Sequence, residues 1–523
     1  MMDNAWSTLH LKVQDASTGN LLPARFHIKD KAGSPYVPPS ASVAAGRAMP
    51  QVITRDVFRK NLHICQDTDI RSSHLASGEA VFPVPAGQLT IYIARGFEYV
   101  PVTRTFVAKP GEETYVDCKL SNTWDMASSG WYGGDMHVHF TRRGKTDDSV
   151  LAHLMAAEGL SAVNNMVYKH YGEIQAHQRQ MGHRDTHYRL SHHHQVISGG
   201  EEFRDNDLYG HMIAAGIEKR IEPVSVGKEF GRRENYPLFA QVCDWTHEQG
   251  GIAGWAHGAA VVKLHESLPV EAALHKLDFV EGIQFNSFMG FYFWYRLLNC
   301  GLTLSLTGGS DFPFGTTILA PWYINLGSDR TYVQTGVAGE FSYDAYTEGI
   351  RRGRSFATNG PLLLFEVNGR GPGEHIRVQS NTDKVRVRAH AMCPYPLDRV
   401  EIIVNGAVQH TVHGKGGPRE IACETELSIP ESAWMAARVR GSVEPKAYGG
   451  NAPWHLHAHT SPVYVRKGNR PIVQKADATW MADYVRFIAE VYRRFGVFKN
   501  EHQREALVRN MNQALAFYEG LLR

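Results

Sequence analysis

The stretch Gly134-Asp135-Met136-His137-Val138-His139-Phe140 decides how this chain is read. It spells a short, largely apolar strand. Residues two apart on a strand point the same way, so His137 and His139 leave one face together. Two neutral nitrogen donors side by side suit a borderline-soft divalent cation. A His-x-His pair alone is weak, being more often structural or at the surface. Its place at the C-terminal end of a barrel strand is what gives it weight, because barrel active sites gather there.

Working outward, residues 126–360 alternate short apolar strands with segments of helical period. Strands are expected over 134–140, 161–168, 195–203, 210–216, 251–257, 279–286 and 302–311. Among the helices, 237–248 places Leu238, Phe239, Val242 and Trp245 on one face. This pattern predicts a distorted (β/α)7 barrel, TIM-like but one strand short of eight. Several of its strand ends carry possible ligands beside glycine: Glu202 after Gly199-Gly200-Glu201, His211 after Gly210, His257 after Gly254-Trp255-Ala256, and Asp311 after Gly308-Gly309-Ser310. Small residues there allow backbone and ligand to approach closely.

The flanks differ. Residues 1–125 alternate with period two between turn signals such as Ser17-Thr18-Gly19-Asn20, which predicts an N-terminal β-sandwich. Residues 361–472 return to alternation, as in Lys384-Val385-Arg386-Val387-Arg388, and predict a C-terminal β-sandwich. Residues 473–523 carry helical spacing through Trp480, Tyr484, Ile488, Val491 and Phe495, then Leu507, Met511, Leu515, Tyr518 and Leu522, a helical hairpin. The whole is α/β plus all-β, in line with 523 residues, which exceed one ordinary core.

Composition narrows the partners. A formal net charge of +2 argues against nucleic acid or an anionic membrane, and no apolar run approaches the length of a membrane span. Six scattered cysteines without a Cys-x-x-Cys pair exclude a disulfide framework and a zinc ribbon. With no basic and apolar leader at Met1, the expected location is cytoplasmic and the expected partner a small-molecule substrate; the oligomeric state is left open.

The glutamate of a cupin follows its His-x-His within a few residues, whereas the first glutamate after His139 is Glu158, inside a predicted helix. The order Asp-x-His-x-His, Gly-x-Glu with Gly-His soon after, His, then Gly-Gly-Ser-Asp resembles instead the PHP (polymerase and histidinol phosphatase) superfamily. More narrowly, it resembles the carbaryl-hydrolase-type CehA/McbA family. The likeness extends to Gly353-Arg354-Ser355-Phe356-Ala357-Thr358-Asn359-Gly360-Pro361, Val400-Glu401 with Asn405-Gly406, Ala437-Arg438-Val439 and His459-Thr460-Ser461-Pro462. It covers roughly residues 125–470. Residues 1–125 resemble carboxypeptidase-regulatory-like sandwiches only loosely.

The resemblance implies one metal on His137, His139, Glu202 and Asp311, and another on Glu202, His211 and His257, with Glu202 bridging. A third PHP site needs histidines that this chain replaces by Asn164-Asn165-Met166 and Phe312-Pro313, so one or two divalent ions (zinc, manganese or iron) are expected. Glu202, Asp311 and His257 are the expected catalytic residues, and Asp135 is expected to orient a ligand histidine. No Gly-x-Ser-x-Gly elbow is present, so the expected nucleophile is a metal-bound hydroxide acting on an ester, amide or carbamate. The rivals are a phosphoesterase on the same centre and a non-catalytic, metal-stabilised binding protein. The histidines between His170 and His194 read as a polar loop or as a lid offering a further ligand. Phe291–Tyr295 reads as substrate wall or as packing, and Arg204 and Arg330 as anion clamps or structural salt bridges.

Overall fold

Strands stand at all seven positions expected between 126 and 360 in the computed structural model: Trp131–Val138, Ala162–His170, His193–Asp205, Gly210–Ala215, Ile252–Trp255, Phe279–Gln284 and Ser305–Gly308. The structure describes residues 5–38, 51–53, 72–170, 173–176, 186–190, 193–228, 231, 234–259, 265–285, 287–313, 325–336, 338–379, 384–444 and 454–523. The protein is a mixed α/β molecule with extensive sheets.

Trp131–Val138 runs parallel to Ala162–His170, which runs parallel to His193–Asp205. The next two pairings, through Gly210–Ala215 to Ile252–Trp255, are antiparallel. Strict β/α alternation therefore fails at this point. The link from Asn206 to Tyr209 is far too short for the crossover that a parallel pair requires. Parallel pairing resumes through Phe279–Gln284 to Ser305–Gly308. Just beyond that last strand the chain returns to the first: Val138 bridges Phe312, and the His139 N–H donates to the Phe312 carbonyl at 2.7 Å.

Helices Lys145–Glu158, Phe239–Glu248, Leu268–Ala273 and Phe291–Asn299 lie between these strands. Phe239–Glu248 starts after Pro237, as a proline without an N–H allows, and buries Phe239, Val242 and Cys243. Lys145–Glu158 stops at Gly159, which takes a left-handed φ of 66°.

Near the N-terminus, a sheet containing Trp6–Asp15, Glu79–Pro85 and Glu113–Leu120 shares a core with a sheet built around Ala24–Asp30, Gly87–Ala94 and Val102–Ala108. Alternation decides the faces: Leu9, Leu11 and Val13 are buried while the residues between them are part-exposed. Most of the Pro-rich stretch between Pro35 and Pro50, and Cys65, lie outside the described residues. The described cysteines are buried and free.

After residue 360 a three-stranded sheet, Leu362–Val367, Lys384–Met392 and Glu420–Ser428, packs on further strands. These are not isolated from the central part, because Ser355–Thr358 pairs with Arg330–Gln334 on one side and Trp454–Thr460 on the other. Helices Lys475–Phe495 and Glu501–Gly520 close on the molecule, burying Met481, Val485, Ile488, Met511 and Tyr518 in one core with Trp294 and Leu297. No helix among the described residues is long and apolar enough to cross a membrane.

The aromatic run Phe291–Tyr295 divides. Phe293 packs edge-on against Trp480 and Tyr484, Trp294 is fully buried, and Tyr295 meets Trp434 and His459. These rings join helices and sheets together. Only Phe291, 4.5 Å from the Phe288 ring, lies against the strand connection that leaves Phe279–Gln284.

Candidate metal centre

The six expected ligands converge, though they come from five strand ends. His137 sits on Trp131–Val138 with His139 one residue past its end, Glu202 on His193–Asp205, His211 on Gly210–Ala215, His257 just after Ile252–Trp255, and Asp311 after Ser305–Gly308. All are buried. His137, His139 and Asp311 form one group able to hold a cation, and His137, Glu202 and His257 another.

Glu202 stands between the two halves. Its Oε2 lies 3.2 Å from His139 Nε2 and 3.7 Å from His137 Nε2, while its Oε1 lies 2.9 Å from His211 Nδ1 and 3.2 Å from His257 Nε2. Asp311 Oδ1 is 3.5 Å from His137 Nε2 and 3.3 Å from His139 Nε2. Among these atoms His137 Nε2, His139 Nε2, His211 Nδ1 and Asp311 Oδ1 are buried without a hydrogen-bond partner among the described residues. Buried polar atoms are seldom left so, and here they face one another.

The outer nitrogens are all engaged. His137 Nδ1 meets Glu281 Oε2 at 3.0 Å, His139 Nδ1 the Met166 carbonyl at 3.0 Å, His257 Nδ1 the Gln284 Oε1 at 2.5 Å, and His211 Nε2 the Asn206 Oδ1 at 2.5 Å. In each pair the partner is an oxygen acceptor, so the ring N–H points outward. In the neutral ring this leaves the lone pair on the nitrogen that faces the centre; that nitrogen of His257 meets Glu202 Oε1 at 3.2 Å.

Glu281, Gln284 and Asn206 did not emerge from the sequence. Strand alternation puts Glu281 and Gln284 on opposite faces, yet a register shift between Glu281 and Ile283 brings both to the histidines. The visible signal was a carboxylate in the otherwise apolar run Phe279-Val280-Glu281-Gly282-Ile283. Asp135 does something other than expected. It accepts from the backbone N–H groups of His137 at 3.1 Å, Ser310 at 3.0 Å and Gly327 at 2.7 Å, and from the Ser310 hydroxyl at 2.5 Å. It fixes the main chain under His137, and the ring is held by Glu281.

Backbone geometry is specialised at the same places. His257 and Asp311 adopt φ of 57° and 53°. Such left-handed conformations cost a non-glycine residue about 1 kcal/mol and cluster at functional sites. Gly309 carries no side chain for a steric reason: a Cβ there would lie 2.5 Å from the His137 Cβ and 2.6 Å from Glu281 Oε1.

Electrostatics favour a cation. Burial works against charge on Glu202, but Arg204, His211 and His137 outweigh it and hold the carboxyl well below its usual range. Burial likewise opposes a charged His137, yet Glu281, Asp311 and Glu202 raise its pKa well above normal. His211, where burial dominates, falls to about 4. Carboxylates that hold a proton on a buried imidazole exert the same attraction on a metal ion. The donor set of imidazole and carboxylate suits zinc, manganese or iron.

Asn164 and Asn165, on the second central strand, serve the backbone. Asn165 accepts from the Phe140 N–H at 2.8 Å and donates to the Phe140 carbonyl at 2.9 Å, and Asn164 donates to the Met136 carbonyl at 3.1 Å. Glu201, the neighbour of Glu202, faces away and accepts from the Ile221 N–H at 3.0 Å.

Arg204 donates through Nε to Glu202 Oε2 at 2.7 Å, and also through Nη2, while its guanidinium lies 4.1 Å from the Tyr168 ring centre. Arg330 is elsewhere and structural, donating to the Gly327 and Glu158 carbonyls beneath Phe97. Of the histidine-rich segment, His194 contacts the Phe341 carbonyl at 3.3 Å. His177, His183 and His192, and the side chains of His170, His187 and His193, lie outside the described residues. Comparison of the chain with protein-family models and with curated proteins returns no match.

Proposed function

We propose that the chain is a metal-dependent hydrolase of the PHP type, its seven central strands forming the metal barrel, that cleaves an ester, amide or carbamate bond of a small molecule. One observation carries the reading. Four buried imidazoles each give the outer nitrogen to an oxygen acceptor and turn the inner one towards Glu202 or Asp311. Structural histidines rarely need that arrangement, because a satisfied outer nitrogen with the inner one aimed at a carboxylate, and bare among the described residues in His137, His139 and His211, is the state of a ligand.

What a divalent cation supplies in such a cradle is Lewis acidity, which lowers the pKa of a water towards neutrality and polarises a carbonyl or phosphoryl oxygen. The chain's own residues do the rest. His137, His139, Asp311 and one oxygen of Glu202 would hold one ion, and the other Glu202 oxygen with His211 and His257 would hold a second. Tyr168, 4.4 Å from His139, and Phe285, stacked 6.2 Å from His257, supply apolar faces that limit water. The backbone role of Asn164 and Asn165 supports one or two ions over three.

A neutral carbonyl asks less of a site than a phosphate monoester with close to two negative charges. Arg204, poised over Glu202, is the observation that favours the phosphoesterase alternative. The test is elemental analysis of the purified protein, then kcat/KM for p-nitrophenyl acetate against p-nitrophenyl phosphate with the same metal loaded. One or two ions per chain and a preference for the ester are expected. A preference for the phosphate would establish the phosphoesterase reading, and tightly held metal with no turnover of either would establish a binding protein.

A further inference from the structure

The C-terminal sheet carries a second charged constellation, of opposite sign. Strands Leu397–Val404 and Ala433–Val443 pair antiparallel with Arg399 opposite Arg440 and Glu401 opposite Arg438. Residues directly opposite share a face with Cβ atoms about 5 Å apart, where like charges destabilise the sheet. The two rows continue to His413 and Thr411 on one side and to His457 and His459 on the other. Glu401 is the only carboxylate in them.

That carboxylate is fully used. It accepts from Arg399 Nε at 2.8 Å and Arg438 Nε at 2.7 Å, and lies 3.9 Å from Arg440 Nε. Arg440 Nε is buried with no hydrogen-bond partner among the described residues, although the side chain as a whole is 34% exposed. Three guanidinium groups around one carboxylate leave two positive charges uncompensated. In keeping with this, burial and then the neighbouring Arg438 push the pKa of Arg440 down.

The face is also tied to the candidate metal centre. The Phe288 ring lies 5.2 Å from the Arg440 guanidinium carbon, 6.0 Å from that of Arg438 and 4.3 Å from the His457 ring. Phe288 pairs with Ile283, and its neighbour Ser287 with Gln284, the residue bonded to His257. One tight hairpin thus spans from a metal-facing histidine to an aromatic ring rimmed by arginines.

We propose that Arg399 and Arg440, with Phe288 as an aromatic platform, bind an oxyanion at the remote end of the substrate. The enzyme would then select aryl or other apolar esters that carry a carboxylate, sulfonate or phosphate away from the scissile bond. Guanidinium groups bind such anions with paired, charge-assisted hydrogen bonds, and a flat ring beside them accepts the apolar body. The word substrate rests on the hydrolase reading above; the anion site rests on the arginines alone.

The test titrates benzenesulfonate, an aromatic anion and a poor metal ligand, into the metal-loaded protein by calorimetry, with methyl phenyl sulfone as neutral isostere and inorganic sulfate as ringless anion. Benzenesulfonate should bind at least about tenfold tighter than either control. Arg440→Gln and Arg399→Gln should each weaken it by about tenfold, the second serving should the first not fold. Glu401→Gln removes the competing carboxylate and should tighten it several-fold. A purely structural ion-pair network gives the opposite sign, because the arginines lose their anchor. A p-nitrophenyl ester of sulfobenzoate should have a lower KM than the plain benzoate, and Arg440→Gln should abolish the difference. Equal binding of anion and sulfone, or weakened binding in Glu401→Gln, overturns the proposal. Sulfate binding as tightly as benzenesulfonate overturns the substrate subsite in favour of a free-anion site. Binding with the expected signs but no turnover of any ester confirms the anion site and overturns the hydrolase reading.

Discussion

Two His-x-His pairs, His137 with His139 and His457 with His459, do opposite things. His137 and His139 face Glu202 and Asp311, with Glu281 behind His137. His457 and His459, on Trp454–Thr460, face aromatic rings and arginines: His459 Nε2 meets the Tyr295 hydroxyl at 2.7 Å, and its Nδ1 meets the Thr460 carbonyl at 2.8 Å. Both nitrogens of His459 are satisfied within the protein. Burial, reinforced by Arg438, depresses its pKa to about 3, whereas carboxylates raise that of His137 well above normal. The same spacing on the same kind of strand thus gives a cluster able to hold a cation in one place and a neutral packing element in the other. Neighbouring carboxylates, not the motif, make the difference.

The strongest way to break this contrast is to remove the shared carboxylate. Glu202→Gln should lower both metal content and kcat/KM by about 100-fold or more, since one residue serves both halves of the cradle. Glu201→Gln is the control. Burial raises the Glu201 pKa well above normal and so favours its neutral form, of which glutamine is a near-isostere. If Glu201→Gln is the inactive protein and Glu202→Gln the active one, the assignment of ligands is wrong by one residue.

A smaller effect is expected from the residue that the sequence did not reveal. Glu281→Gln keeps the shape but removes the charge that holds the His137 N–H, and metal affinity should fall about 10–100-fold in chelator competition. The matching change at the other pair, Tyr295→Phe, should leave metal content untouched and alter only stability. Loss of metal in Tyr295→Phe would unite the two pairs functionally and end the comparison.

The third effect is a pH slope. His459 is neutral in the folded protein, with a pKa of about 3, and takes up a proton near pH 6.5 when unfolded. Acidification below about pH 6.5 therefore favours unfolding, by up to about 1.4 kcal/mol per pH unit for this group. Denaturant melts between pH 7 and 5 should show a shallower loss for His459→Gln than for the parent. An unchanged slope would mean that the ring is protonated in the fold. His137 in the metal-free protein has the opposite sign, because its raised pKa gives stability that is present at low pH and lost as pH rises through it.

What the sequence determined by itself is local. Short apolar runs between segments of helical period located all seven central strands, and ligand-type residues beside glycine at their ends identified the six side chains that converge. Those are properties of one strand at a time, decided by which residues can be buried and which way consecutive side chains point. What only the tertiary structure decided lies between strands. The antiparallel turn at Asn206 puts its amide on His211, and the register shift after Glu281 turns both Glu281 and Gln284 towards the histidines. Asp135 joins the backbone N–H of His137, two residues on, to those of Ser310 and Gly327, both distant in sequence. A carboxylate's effect on an imidazole falls off with distance in space and not with separation along the chain, so the spacing of His137 and His139 matches that of His457 and His459 and only the fold gives them different neighbours.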